Sequence, residues 1–81
     1  MRVPIIMPEL GVAYAALGLW FVDEGESVYE GERIVEIRAG AATFDISAPV
    51  AGRLADRCAF PTDSLAAGQV LGYIEKHVTE F

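Results

Sequence analysis

Gly25-Glu26-Ser27-Val28-Tyr29-Glu30-Gly31-Glu32-Arg33-Ile34-Val35-Glu36-Ile37 can be laid over Thr62-Asp63-Ser64-Leu65-Ala66-Ala67-Gly68-Gln69-Val70-Leu71-Gly72-Tyr73-Ile74 at a constant offset of 37 residues. The match is chemical as well as positional. Glu26 meets Asp63, Val28 meets Leu65, Gly31 meets Gly68, and the pairs Ile34/Leu71 and Ile37/Ile74 close the unit, with Leu17/Leu54 on the same offset upstream. An internal repeat of this length is one supersecondary unit that cannot bury its apolar face alone. Two copies can bury one another.

Each copy reads as a strand, a tight turn, a very short apolar strand, a glycine turn and a further strand. Gly31 and Gly68 are expected at backbone angles that side chains disfavour, with Val28 and Leu65 plugging the core between turns. Strands are expected near Val3 to Ile6, Ala15 to Phe21, Arg33 to Arg38, Ala42 to Ser47, Gly52 to Cys58 and Val70 to Glu75. Two very short ones fall at Ser27-Val28 and Ser64-Leu65. Phe44 and Ile46 alternate with Thr43, Asp45 and Ser47 as in a half-buried strand, and Ala48-Pro49 then interrupts the ladder. No stretch has proper helix start and stop signals. Ala13, Ala15 and Ala16 favour helix, but Gly18 and the aromatic and β-branched run after it favour strand. The expected fold is therefore all-β, a flattened β-barrel or sandwich of about eight short strands with pseudo-two-fold symmetry. Its interior should be filled by Ile34, Ile37, Ile46, Leu54, Leu71 and Ile74, leaving little room for a ligand between the sheets.

Composition bounds the function. Eighty-one residues leave room for one core, and 53% apolar content is too high for disorder. The formal net charge is −6, with no cluster of basic residues, so nucleic acid is an unfavourable partner. The longest apolar run, Val12 to Val22, is about half of a bilayer span and is broken by Gly18, so no membrane partner is expected, and a cytoplasmic chain is. Cys58 is the single cysteine, read as a buried, inert thiol, and His77 is the single histidine. Their separation in the expected plan leaves no thiol–base pair for nucleophilic catalysis. Asp45, Asp56, Asp63 and Glu26 could form a metal or acid–base set, but Glu26 and Asp63 occupy equivalent turn positions where local hydrogen bonding explains them. The expectation is no catalytic residue, no metal and no enzyme. Trp20, Phe21, Tyr14, Tyr29, Phe44, Phe60 and Tyr73 are more rings than so small an interior holds, so some should be exposed.

The chain resembles the biotinyl/lipoyl attachment domain family. The residues that carry the resemblance are Met7-Pro8-Glu9-Leu10-Gly11, Glu24-Gly25-Glu26-Ser27-Val28, Gly31-Glu32, Ala48-Pro49-Val50-Ala51-Gly52, Ala67-Gly68-Gln69-Val70-Leu71 and Ile74-Glu75. The resemblance implies a barrel-sandwich hybrid of two four-stranded antiparallel sheets over residues 1–76, with 77–81 as a tail. The Met7-Pro8 opening, with no methionine near the hairpin tip, looks more like the lipoyl branch. Such domains carry their cofactor on a lysine at the tip of a hairpin between the repeats. Counted back from Ala48-Pro49, the family's Glu-Thr-Asp-Lys-Ala pattern falls on Arg38-Ala39-Gly40-Ala41-Ala42. Ala41 then stands at the attachment position, flanked by Arg38, Gly40 and Ala42, and a methyl group has no amine to acylate. No cofactor is expected, and change at Arg38, Ala39 and Gly40 as well points to natural divergence.

The function implied is a non-catalytic lipoyl-like domain that acts as a protein-interaction or scaffold module near an acyl-transfer or carboxylation system. A protein partner is expected, with Tyr14, Arg38 and Phe60 as contact residues, and a homo-oligomer is compatible with the sequence. The alternative is a degenerate subdomain of a dihydrolipoamide acyltransferase (2-oxo acid dehydrogenase complex) or of a biotin-dependent carboxylase polypeptide. Phe60-Pro61-Thr62-Asp63 departs from the family's polar turn ending in glycine, and this could mark a contact surface or a phenylalanine folded over the sandwich edge.

Overall fold

In the computed structural model, residues 1–76 are described, and the expected tail at 77–81, with His77, lies outside them. Seven strands form in the order β1 (Arg2–Ile6), β2 (Ala16–Trp20), β3 (Ser27–Val28), β4 (Arg33–Ala39), β5 (Ala42–Ser47), β6 (Gly52–Arg57) and β7 (Val70–Lys76). They make two antiparallel sheets, one of four strands ordered β1-β7-β6-β3 and one of three ordered β2-β4-β5. Among the described residues the alanines around 13–16 form no helix, and Ala16 opens β2.

The repeat survives in the hydrogen-bond register. Leu17 pairs with Ile37 as Leu54 pairs with Ile74, and Trp20 pairs with Val35 as Arg57 pairs with Gly72. Both ladders slip at the same place, between Leu17 and Leu19 in one copy and between Leu54 and Asp56 in the other. The outer strands follow suit, with Phe44 opposite Ile37 and Val3 opposite Ile74, and each ladder slips again beside Ile46/Val35 or Ile5/Gly72. A bulge adds local twist and re-aims the residues after it, so matched bulges bend both sheets alike and let their inner faces meet.

The turns repeat as well. Glu26 Oε1 accepts from the Asp23 N–H at 2.9 Å and Asp63 Oδ2 accepts from the Phe60 N–H at 2.9 Å. Glu32 Oε1 and Gln69 Oε1 accept from the Tyr29 and Ala66 N–H groups, each at 3.0 Å. Gly31 and Gly68 both lie at φ +86°, the left-handed region that L side chains avoid.

Two sheets of four strands closing into a flattened barrel is the expectation that fails. Ser64 makes only a single bridge, to Ala16, where its counterpart Ser27-Val28 makes a two-residue strand with Arg53 and Gly52. A Cβ at Gly52 would lie 2.2 Å from the Glu75 carbonyl oxygen, so only glycine lets β6 pair through to Lys76. Ala15 stands at the equivalent place, and β2 begins one residue later. The Leu65 N–H still donates to the Ala15 carbonyl at 2.9 Å, but the second sheet stops at three strands. The sheet edges do not hydrogen-bond to one another, and the architecture is an open two-sheet sandwich rather than a barrel.

The core is aliphatic. Ile5, Leu17, Ile34, Val35, Ile37, Leu54, Leu71 and Ile74 are fully buried, each stabilising the fold by roughly 1.5–3 kcal/mol. Val28 is buried as expected, whereas Leu65 and Ile46 are only partly buried against the cluster. The strand Ala42–Ser47 is exposed along most of its length, and Phe44 sits at its rim at 37% exposure. Cys58 is exposed rather than buried, because it follows β6 at the point where the chain leaves the sheet.

The matched φ values make a direct prediction. A Cβ at Gly31 or Gly68 meets no neighbouring atom within 4 Å, so the cost of valine there is chiefly backbone strain. Each variant should lose about 1–3 kcal/mol in urea unfolding, and the two losses should agree closely. Unchanged midpoints for both would show that the turns relax freely.

Candidate functional site

The β4–β5 hairpin is the shortest connection between the two repeats. Pairing runs through Arg38↔Thr43 to Ala39↔Ala42, which leaves Gly40-Ala41 as a two-residue turn. Gly40 has φ +63° and Ala41 does not have a positive φ, the pattern of a type II′ turn with glycine first. Ala41 is exposed at the tip, and the chain's single lysine is Lys76, at the end of β7. The hairpin geometry expected from the sequence is present, with Ala41 as the second turn residue.

Of the three expected contact residues, Tyr14 and Arg38 are brought together. They line one open cleft of about 320 Å³ with Ala16, Leu17, Gly18 and Thr62. Arg38 makes one polar contact among the described residues, from Nε to Glu36 Oε2 at 3.5 Å. The Tyr14 hydroxyl lies 3.4 Å from Ser64 Oγ. Phe60 does not line the cleft. It stands at 53% exposure in the same loop, two residues before Thr62.

The residue that sequence reasoning passed over is Thr62 itself. It lies at φ +75°, in the left-handed region, and is the only non-glycine residue there among those described. The repeat held the signal, since its counterpart Gly25 has φ +92°. The loop keeps this conformation because the Thr62 N–H donates to the Leu17 carbonyl at 2.9 Å and the Leu17 N–H donates to the Asp63 carbonyl at 3.0 Å, bonds that Gly25, Glu26 and Leu54 repeat.

The acidic residues considered for chemistry are each engaged locally. Asp45 contacts Arg33 at 3.3 Å, Asp56 pairs with Arg2, and Glu26 and Asp63 cap their turns. Among the described residues no group of three such side chains could hold a metal ion, and no helix is long and apolar enough to cross a membrane.

The sandwich, its repeat and its hairpin agree with what known proteins show. The profile of a family described as biotin-requiring enzyme, of biotin/lipoyl type, matches residues 3–74. The chain belongs to the biotin/lipoyl family. It is 35% identical over 77 residues to the dihydrolipoyllysine-residue succinyltransferase component of the 2-oxoglutarate dehydrogenase complex of Bartonella vinsonii subsp. berkhoffii, covering 93% of this chain and 19% of that protein. It is 36% identical over 73 residues to the lipoamide acyltransferase component of the branched-chain alpha-keto acid dehydrogenase complex of Pseudomonas aeruginosa, covering 88% of this chain and 17% of that protein. The chain thus spans about a fifth of the length of these curated relatives. Its fold is that of the lipoyl domain of the 2-oxoglutarate dehydrogenase complex from Azotobacter vinelandii, with a TM-score of 0.69 at 21% identity, covering 94% of this chain and 96% of that one. The chain is a module of lipoyl-domain type, related to acyltransferase components of 2-oxo acid dehydrogenase complexes.

The strain at Thr62 is measurable. Thr62→Gly removes a β-branched side chain from the left-handed region, and the bonds that Thr62 and Asp63 make to Leu17 are between backbone groups that remain. The variant should gain about 1 kcal/mol in chemical unfolding, the relief of strain exceeding glycine's added entropy cost. A loss of stability would mean that the Thr62 side chain compensates for its own backbone.

Proposed function

We propose that this chain is a lipoyl-type module which takes part in an acyltransferase assembly of the 2-oxo acid dehydrogenase kind without carrying an acyl group on its hairpin. The observation that carries the reading is the β4–β5 tip, where a two-residue Gly40-Ala41 turn presents a methyl group at the place a carrier would present an amine. Ala41 thus occupies the attachment position, with Arg38, Gly40 and Ala42 around it. An amide-linked cofactor needs a nucleophilic amine on an exposed, mobile arm, and alanine supplies none.

The relatives favour an acyltransferase context over a carboxylase one, because those named above are acyltransferase components. They also favour the module as a diverged part of such a polypeptide, with residues 1–76 as the folded unit, over a scaffold unconnected with acyl transfer. Its contribution there is recognition: a protein partner reads the retained surface, with Tyr14, Arg38 and Phe60 as contacts. All three are exposed, and Tyr14 and Arg38 share one cleft.

Intact mass decides the central point. Co-expressed with a lipoate ligase and a biotin ligase, the chain should keep its unmodified polypeptide mass apart from loss of Met1. A lipoyl or biotinyl increment on any residue would overturn the non-carrier reading. Ala41→Lys should restore an acceptor, because the side chain is exposed and the strands below it pair without its help. Incubated with ligase, lipoate and ATP, this variant should gain one lipoyl mass beside an authentic lipoyl domain. Adding Gly40→Asp supplies an acidic neighbour but puts a side chain at φ +63°, at the turn position that favours glycine. The double variant should still be modified faster than the single one. If neither gains mass while the authentic domain is fully modified, the hairpin has lost its carrier geometry as well as its lysine.

A further inference from the structure

The repeat supplies an internal control for the cleft at the hairpin stem. A second open cleft, of about 430 Å³, is lined by Arg2, Gly25, Arg53, Leu54, Ala55 and Glu75. The 37-residue offset turns Ala16, Leu17 and Gly18 of the first cleft into Arg53, Leu54 and Ala55 of the second. It also turns Arg38 into Glu75 and brings Thr62 onto Gly25. The backbone walls are therefore the same twice, and what separates the clefts is their side chains.

In the second cleft Arg2 is paired to Asp56 and lies 3.6 Å from Glu75, and Arg53 stands opposite Glu75 in the β6–β7 register, so a carboxylate of the chain already occupies that cleft. In the first, Arg38 uses only Nε, and among the described residues no acceptor faces its two terminal nitrogens. A guanidinium with both terminal nitrogens free is a fork for a planar, two-oxygen acceptor. Around it stand the hydroxyls of Tyr14 and Thr62, with Ser64 Oγ beside the Tyr14 hydroxyl, over a floor of half-buried Ala16 and Gly18. Thr62 is also the one strained non-glycine backbone among the described residues, and such strain gathers where a surface is built for use.

We infer that the cleft formed by Tyr14, Ala16, Leu17, Gly18, Arg38 and Thr62 binds a small monocarboxylate with a short apolar tail. Arg38 takes the carboxylate, the hydroxyls of Tyr14 and Thr62 take its remaining lone pairs, and the short tail lies on Ala16 beside Gly18. A phosphate dianion is the poorer fit, because the site holds one cation, already shared with Glu36, on a chain of net charge −6. This site is independent of what the hairpin tip carries.

The test is amide and arginine side-chain chemical shifts of the full chain titrated with hexanoate, hexanamide and inorganic phosphate at constant ionic strength. Hexanoate should give saturable shifts centred on Leu17, Arg38 and Thr62, at least ten-fold tighter than hexanamide or phosphate. Arg38→Gln, with its dispersed spectrum retained, should weaken hexanoate binding at least ten-fold. Tyr14→Phe should weaken it several-fold, and Arg53→Gln in the second cleft should leave it unchanged. Equal affinity for hexanamide, tighter binding of phosphate, shifts centred on Arg53, or an Arg38→Gln variant that binds as well as the parent would each overturn the assignment.

Discussion

Gly31 donates its N–H to the Ala48 carbonyl at 2.9 Å, and the Ala48 N–H returns to the Glu32 carbonyl at 2.7 Å. Gly68, Met7 and Gln69 make the same pair of bonds, each at 2.8 Å. Each pair fastens the turn before an inner strand, β4 or β7, to the chain at the end of that strand's outer neighbour, β5 or β1. The inner strand's entry and its partner's register are thereby set together. A one-residue slip would turn every inward side chain outward. With Ile34 and Ile37 on β4 and Leu71 and Ile74 on β7 all buried, such a slip would expose the centre of the core.

From this fastening follows the mutual dependence of the halves. Each inner strand lies between a strand of its own repeat and an outer strand from the other part of the sequence: β7 between β6 and β1 in one sheet, β4 between β2 and β5 in the other. The β1 strand begins the chain and pairs with β7 at its far end, so the four-stranded sheet cannot form until most of the sequence is present. Contacts so distant in sequence must overcome loop-closure entropy before they stabilise anything. The capped turns offset part of that cost locally, since the carboxylates of Glu26 and Asp63 hold the backbone near its native shape within a few residues.

Much of this was legible in the sequence because it is written twice. The offset between Gly31 and Gly68 located the turns, and the apolar pairs Leu17/Leu54, Ile34/Leu71 and Ile37/Ile74 located the core. The site was legible in part, through the Gly40-Ala41 turn and the exposure of Tyr14, Arg38 and Phe60. What could not be read was where the halves differ in a single contact. Whether Ser64 extends into a strand or stops at a single bridge is decided by its pairing with Ala16, a residue remote in sequence. A lone cysteine predicts an inert, buried thiol, yet Cys58 lies exposed just past the last pair of β6. The cleft was invisible because Tyr14, Arg38 and Thr62 come from three separate segments.

The separation of scaffold from tip explains how such a module can diverge at its hairpin and keep its fold. Everything that fixes the register lies at or below Ala39↔Ala42, and the fully buried side chain closest to the tip is Ile37. The turn itself asks only for glycine at a positive φ, which Gly40 meets, and places no demand on the Ala41 side chain. A residue there is therefore kept or lost for what it does and not for what it stabilises. The opposite holds at Thr62, where the backbone demands glycine's conformation and the chain carries a β-branched residue, at a cost of order 1–3 kcal/mol. Ala41 is a position the fold leaves free, and Thr62 is one where the fold is taxed. The stem cleft beside Arg38, unlike the tip, is thus where the structure bears a cost that packing does not explain.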